Sequence, residues 1–139
     1  MINKNLLFPE NSRQFFGKRW LKILLRTAHL LGLSGVGAIF LFDQSFSGAQ
    51  FFLYLVVGSG ISMVALDIWS NGIWILQLRG QAIILKLLLF YIMVSQPEYT
   101  SLCFIVIVIL SGVISHAPGN LRYYSIYHGK RLHSIEEKG

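Results

Sequence analysis

Four long apolar segments constrain the fold of this chain more than any other feature of its sequence. They run from about residue 20 to 42, 50 to 77, 81 to 95 and 101 to 115. A helix of roughly 20 mainly apolar residues crosses the hydrocarbon core of a bilayer. None of the segments alternates apolar and polar residues as a barrel strand does. Because a helix satisfies its own backbone groups in lipid, the segments predict an all-α, integral membrane four-helix bundle.

Composition supports this class of protein and excludes others. Hydrophobic residues make up 54% of the 139 residues and charged residues only 13%, whereas a soluble domain carries about a quarter charged residues. The single cysteine, Cys103, rules out a disulfide framework and any multi-cysteine metal centre. The connections between the apolar segments are short, so we expect one transmembrane domain with short interfacial ends, 1–19 and 117–139.

The basic residues predict the orientation of the bundle. Six precede or open the first segment, two flank the turn into the third and four follow the fourth, whereas the two opposite loops carry only Asp43 and Glu98. The positive-inside rule then places both termini in the cytoplasm, and we expect a bacterial inner membrane. Aromatic residues mixed with the basic ends predict contact with the lipid bilayer rather than with nucleic acid. Ser47-Gly48-Ala49 also fits a signal-peptide cleavage site, but Arg26 and His29 favour a retained first helix.

Ionisable residues inside the apolar segments are the candidate functional residues. Arg26 and His29 share one face of the first helix, and the other segments contribute Asp67, Lys86 and His116. Helical rise places all of them in the cytoplasmic half of the bundle. Such groups are costly in hydrocarbon and commonly mark functional sites. We expect Asp67 to pair with Arg26 or Lys86, and His29 and His116 to ligate haem or a metal. The alternative is one buried ion pair with snorkelling basic chains that fix helix order.

Small residues in the first two segments predict close contact between helices. Gly32 and Gly35 lie above His29, and Gly58 and Ser62 form a small-xxx-small pair in the second segment. Such residues let backbones approach each other, but the same residues could leave room for a flat cofactor beside His29. The sequence leaves both interpretations open.

Two short motifs resemble a known membrane module. The first segment contains Arg26-Thr27-Ala28-His29, and the third contains Gly80 followed by Lys86-Leu87-Leu88-Leu89. This pattern resembles the four-helix module of copper resistance D-type proteins and of the related four-helix membrane protoporphyrinogen oxidase. The resemblance implies copper passage or porphyrin oxidation. It also implies that His29 ligates haem b or a metal and that Lys86 contacts a propionate or substrate.

Three functions remain open at this point. The first is a haem- or metal-associated redox subunit of the membrane, built on the inner-half polar cluster. The second is a non-catalytic accessory or assembly subunit, with other membrane subunits or further copies of itself as partners and no cofactor. The third is a small oligomeric proton-coupled transporter in which Asp67 is the coupling acid. No sequence pattern identifies catalytic residues.

Overall fold

The computed structural model describes Phe8 and Pro9, residues 11–42, Ser45 and residues 47–132. Within these residues four helices are long and apolar enough to cross a membrane. They are α1 (Lys18–Phe42), α2 (Gln50–Ser70), α3 (Leu78–Ser95) and α4 (Thr100–His116). A short helix α5 (Gly119–Arg122) and a hairpin of β1 (Tyr124–Ser125) and β2 (Lys130–Arg131) follow. The predicted all-α class with four long apolar helices is thus confirmed. Insertion of these helices into a membrane and the cytoplasmic location of the termini stay predictions.

The second helix ends at Ser70 rather than at about residue 77. Asn71 has an extended backbone, with φ −172° and ψ 110°, and its side chain accepts a 3.0 Å hydrogen bond from the Ile73 amide. This cap begins a 3-10 turn over Gly72–Leu76, and α3 then begins at Leu78 instead of about residue 81. Hydropathy did not reveal the break because the turn is itself apolar and lies inside the protein, with Ile73 buried.

The chain divides into two compact units. The first comprises residues 14–66 and contains α1 and most of α2. The second comprises the described residues from Asp67 onward together with those up to Arg13. The single transmembrane domain expected from the sequence stays a prediction.

In the first unit α1 packs against α2 in an antiparallel arrangement. The buried residues of α1 follow helical spacing along one face, at Gly32, Val36 and Ile39. Gly32 lies against Val56, because a Cβ added at Gly32 would meet Val56 Cγ2 at 2.5 Å. The remaining α1 surface is mostly exposed, as expected of a helix that faces lipid or another chain.

In the second unit α3 packs against α4, also antiparallel. The Lys86 ammonium lies 3.2 Å from the Ser111 hydroxyl, and the Thr100 hydroxyl donates to the Met93 carbonyl at 3.1 Å. Near the start of α3, Gly80 allows the ring of Trp74 to approach, since a Cβ there would lie 2.6 Å from Trp74 Cε3. The 3-10 turn is thereby packed directly against the first turn of α3.

The C-terminal end is a folded part of this second unit. Tyr124 pairs with Arg131 and Ser125 with Lys130 in the hairpin, whose turn closes at Gly129 with a positive φ of 64°. The side chains of Ser125 and Leu132 are fully buried. The sequence predicted a short interfacial end here. The described part of this end, up to Leu132, is folded onto the core of the unit, and residues 133–139 lie outside the described residues. The interfacial position of this end stays a prediction.

Candidate functional site

His29 lies between α1 and α2 and is half-buried. Its Nδ1 atom is 3.0 Å from the Val56 carbonyl oxygen and 3.1 Å from the Ser59 hydroxyl oxygen. The ring also contacts the backbone of Gly60, where an added Cβ would lie 3.3 Å from His29 Cε1. The backbone and small side chains of α2 therefore hold the imidazole in one orientation.

These contacts determine the tautomer of neutral His29. A carbonyl oxygen can only accept a hydrogen bond, so Nδ1 carries the proton and donates it toward Val56. The basic nitrogen is then Nε2. A histidine that ligates a metal typically donates its other ring N–H to a carboxylate or a carbonyl. The oxygen atoms that the structure shows beside Nδ1 are those of the Val56 carbonyl and the Ser59 hydroxyl.

Gly32 and Gly35, which lie above His29 on α1, pack closely against α2. A Cβ added at Gly35 would collide with the ring of Phe52, and one added at Gly32 would reach the Val56 backbone amide at 2.7 Å. The prediction of close helix packing is confirmed at these two positions, where the backbone and side chains of α2 approach the glycines. A cofactor bound beside His29 stays a prediction.

The small residues of α2 that take part in this packing differ from those expected. Among the described residues nothing lies within 4 Å of a Cβ built at Gly58, and Ser62 is exposed and bonds back to the Gly58 carbonyl at 2.7 Å. Ser59 and Gly60 form the contact instead, with Ser59 buried. The predicted pair of Gly58 and Ser62 is therefore wrong, because the helix is rotated so that its neighbouring residues face α1.

The other predicted site residues are distributed along the chain. Arg26 is exposed on α1, one turn from His29, and His116 is exposed at the end of α4. Lys86 donates to Ser111. The carboxylate of Asp67 is attracted to the guanidinium of Arg79, a partner that the sequence analysis did not consider. Ligation by His29 together with His116, and pairing of Asp67 with Arg26 or Lys86, stay predictions.

A basic and aromatic cluster in the second unit was missed from the sequence. Gln77 is almost fully buried, and its Oε1 accepts a 2.6 Å hydrogen bond from Arg79 Nε while its Nε2 donates to the Leu132 carbonyl at 2.5 Å. The Cζ atoms of Arg79 and Arg122 lie 5.0 Å and 5.9 Å from the centroid of the Tyr123 ring. The sequence showed basic residues next to aromatic ones. It did not show that the start of α3 contacts the C-terminal tail.

Two buried hydrogen-bond donors lie in the second unit, one in the 3-10 turn before α3 and one in α5. Trp74 Nε1 and Arg122 Nε are buried and have no hydrogen-bond partner within the described part of the chain. Leaving a buried donor unpaired is costly, so such atoms indicate where a further acceptor belongs.

The side chains that could hold a metal do not gather in one place. Across residues 8–9, 11–42, 45 and 47–132 no group of three or more His, Cys, Asp or Glu residues comes together. Comparison with known proteins adds no relative: no family model, no curated protein and no solved structure matches the chain.

Proposed function

We propose that the protein is a non-catalytic accessory or assembly subunit of a membrane complex. The observation that carries this proposal is the contrast between its polar and apolar side chains. Two of the candidate polar side chains bond to the neighbouring helix of this chain, His29 to Val56 and Ser59, and Lys86 to Ser111. Large apolar side chains on the same helices point outward and remain uncovered by this chain.

The exposed apolar surface is extensive on α2. Only 6% of its membrane-spanning window is buried, against 22% for α1. Phe51, Tyr54 and Ile61 are 62%, 73% and 66% exposed. Lipid can cover such a surface, and so can helices of other subunits, which associate in membranes through packing rather than through hydrophobicity. In this chain His29 and Lys86 bond to neighbouring helices, and large apolar side chains are exposed on the helix surfaces. Such a chain is suited to packing against the helices of other subunits.

The test is the size of the particle that contains this chain when it is extracted from its own membranes in a mild detergent. We expect an assembly larger than the 15.8 kDa chain, resolved by native mass spectrometry into this chain and further chains. Ile61→Trp adds bulk on the exposed face of α2, and Leu88→Trp does so on the exposed face of α3. At least one of them should release the chain, because a packed interface does not accept the added volume. A wild-type chain that is monomeric in every mild detergent contradicts the proposal.

A second candidate is favoured by the orientation of His29. Because the Nδ1–H group donates to the Val56 carbonyl, the ring orientation is fixed and Nε2 is the nitrogen that carries the lone pair, as in a histidine that ligates haem. The residues fit this role in part: His29 would ligate the iron, and Arg26, one turn away, is suited to a propionate. At Gly32 and Gly35 the two helices are in close contact, so in this candidate the haem ring would lie on another side of His29. Bound haem b would supply one-electron transfer.

An absorption spectrum of the purified protein distinguishes the two candidates. A haem-binding chain shows a Soret band that His29→Ala abolishes and that His128→Ala, a change in the hairpin turn, leaves intact. A wild-type protein without a Soret band, reconstituted with hemin and still without one, eliminates the second candidate and leaves the first. No observation in the described residues specifically favours transport, which remains an expectation from the sequence.

A further inference from the structure

The cluster formed by Arg79, Tyr123 and Arg122 has the properties of an anion site. Two guanidinium groups lie on one tyrosine ring, close enough to repel each other. The nearby Asp67 carboxylate attracts Arg79 and offsets one of the two positive charges.

The guanidinium of Arg122 carries a donor that has no acceptor among the described residues. A guanidinium has five N–H donors, and Arg79 commits its Nε to Gln77. The Nε atom of Arg122 is buried and has no hydrogen-bond partner among the residues that the structure describes. Arginine side chains bind phosphate and carboxylate oxygens through paired N–H donors, and these charge-assisted bonds are the strong ones. The unpaired donor of Arg122 therefore indicates an acceptor that carries several oxygens.

The position of the cluster indicates where that acceptor comes from. Arg79 is in the first turn of α3, and Arg122 follows shortly after the end of α4. Because these two helices are antiparallel, both arginines lie at the same end of an apolar helix pair, where lipid headgroups begin. Beside them the side chains of Leu121, Ile126 and Tyr127 are exposed by 44%, 64% and 84%. Exposed apolar and aromatic groups next to arginines are suited to the membrane surface.

We infer that Arg79 and Arg122, held on the ring of Tyr123, bind the phosphate group of an anionic phospholipid at the membrane surface. Gln77 is a positioning residue in this site, because it fixes the Arg79 side chain and anchors the tail at Leu132. A soluble phosphate offers the same oxygens, so the source of the phosphate is decided by experiment.

The test is a lipid titration of the full-length, delipidated protein in detergent, followed by native mass spectrometry. Phosphatidylglycerol and phosphatidylcholine are compared. Phosphatidylglycerol keeps a net negative charge, whereas choline neutralises the phosphate of phosphatidylcholine. We expect one tightly bound phosphatidylglycerol. Arg122→Lys keeps the charge but loses the paired donors, and it should weaken this binding about tenfold or more. The matched control is Arg131→Lys in the same tail, whose side chain bonds to Asn120. It should change the affinity less than about twofold.

Three further results decide the inference and the source of the phosphate. Inorganic phosphate that displaces the bound phosphatidylglycerol and raises the melting temperature equally identifies soluble phosphate as the ligand of the same site. Equal affinity for the two lipids overturns the inference. Equal losses for Arg122→Lys and Arg131→Lys also overturn it, because they show diffuse attraction to the positive charge of the tail. Far-ultraviolet circular dichroism confirms that each variant is folded.

Discussion

Replacing Gln77 with methionine should release the C-terminal hairpin without greatly changing the volume of the core. Gln77 is 2% exposed and links two distant parts of the second unit, Arg79 in α3 and the Leu132 carbonyl at the end of the hairpin. Methionine fills a similar space but offers neither an amide donor nor a carbonyl acceptor. The variant therefore leaves the Leu132 carbonyl buried and unpaired.

The magnitude follows from the bond to the Leu132 carbonyl, because opening of the hairpin breaks this bond. Leaving a buried acceptor unpaired costs about 1–3 kcal/mol. The bond between Arg79 and Gln77 does not reach the hairpin, so its loss does not enter this free energy. We therefore expect the free energy of opening the hairpin to fall by about 2 kcal/mol, which raises the open fraction about thirtyfold.

Limited trypsin digestion in detergent measures this opening, because Lys130 and Arg131 lie in β2. Cleavage at these two residues should accelerate about thirtyfold in Gln77→Met, provided that reclosing is faster than cleavage. Gln96→Met is the matched control, since Gln96 is exposed and its bond to Ile92 comes from the backbone amide. Equal cleavage rates in the two variants would refute the reasoning that Gln77 holds the tail.

Three further outcomes are expected. Gly80→Ala should destabilise the protein by about 1–3 kcal/mol in thermal unfolding, because the new Cβ meets the ring and backbone of Trp74. A Cβ added at Gly112 meets nothing within 4 Å in the described structure, so Gly112→Ala should be neutral or stabilising by up to about 1 kcal/mol. A lower melting temperature for Gly112→Ala than for Gly80→Ala contradicts this packing. A reporter enzyme that works only in the cytoplasm should be active when it is fused after Gly139, and one that works only in the periplasm should be inactive. The opposite result would reverse the predicted orientation.

The sequence by itself was sufficient for the helical class and the number of apolar helices. Hydropathy over about 20 residues reports directly on what a helix can bury in lipid, so α1, α2, α3 and α4 appear close to their predicted positions. The ends of the helices could not be predicted where an apolar stretch continues through a change of backbone conformation. At Asn71 a side-chain cap ends one helix and begins a 3-10 turn, while the hydropathy remains high on both sides.

Side-chain partners could be predicted only in part. His29 was identified from its cost in a membrane and its position on α1, yet its acceptor at Val56 is a backbone carbonyl. Every residue has such a carbonyl, so no residue type in the sequence marks it. Gly32 and Gly35 could equally have bordered a cleft or a packed helix, and the rotation of α2 decided for packing.

The tail shows most clearly what tertiary structure adds. Its tyrosines and basic residues indicated a membrane surface, which is a property of composition and needs no fold. That Leu132 is buried, that Gln77 bonds to it and that Arg79 meets Arg122 on Tyr123 depend on contacts between residues far apart in the chain. Periodicity and hydropathy describe each segment alone and determine its local structure. Which segments meet, and through which side chains, is decided by packing in three dimensions.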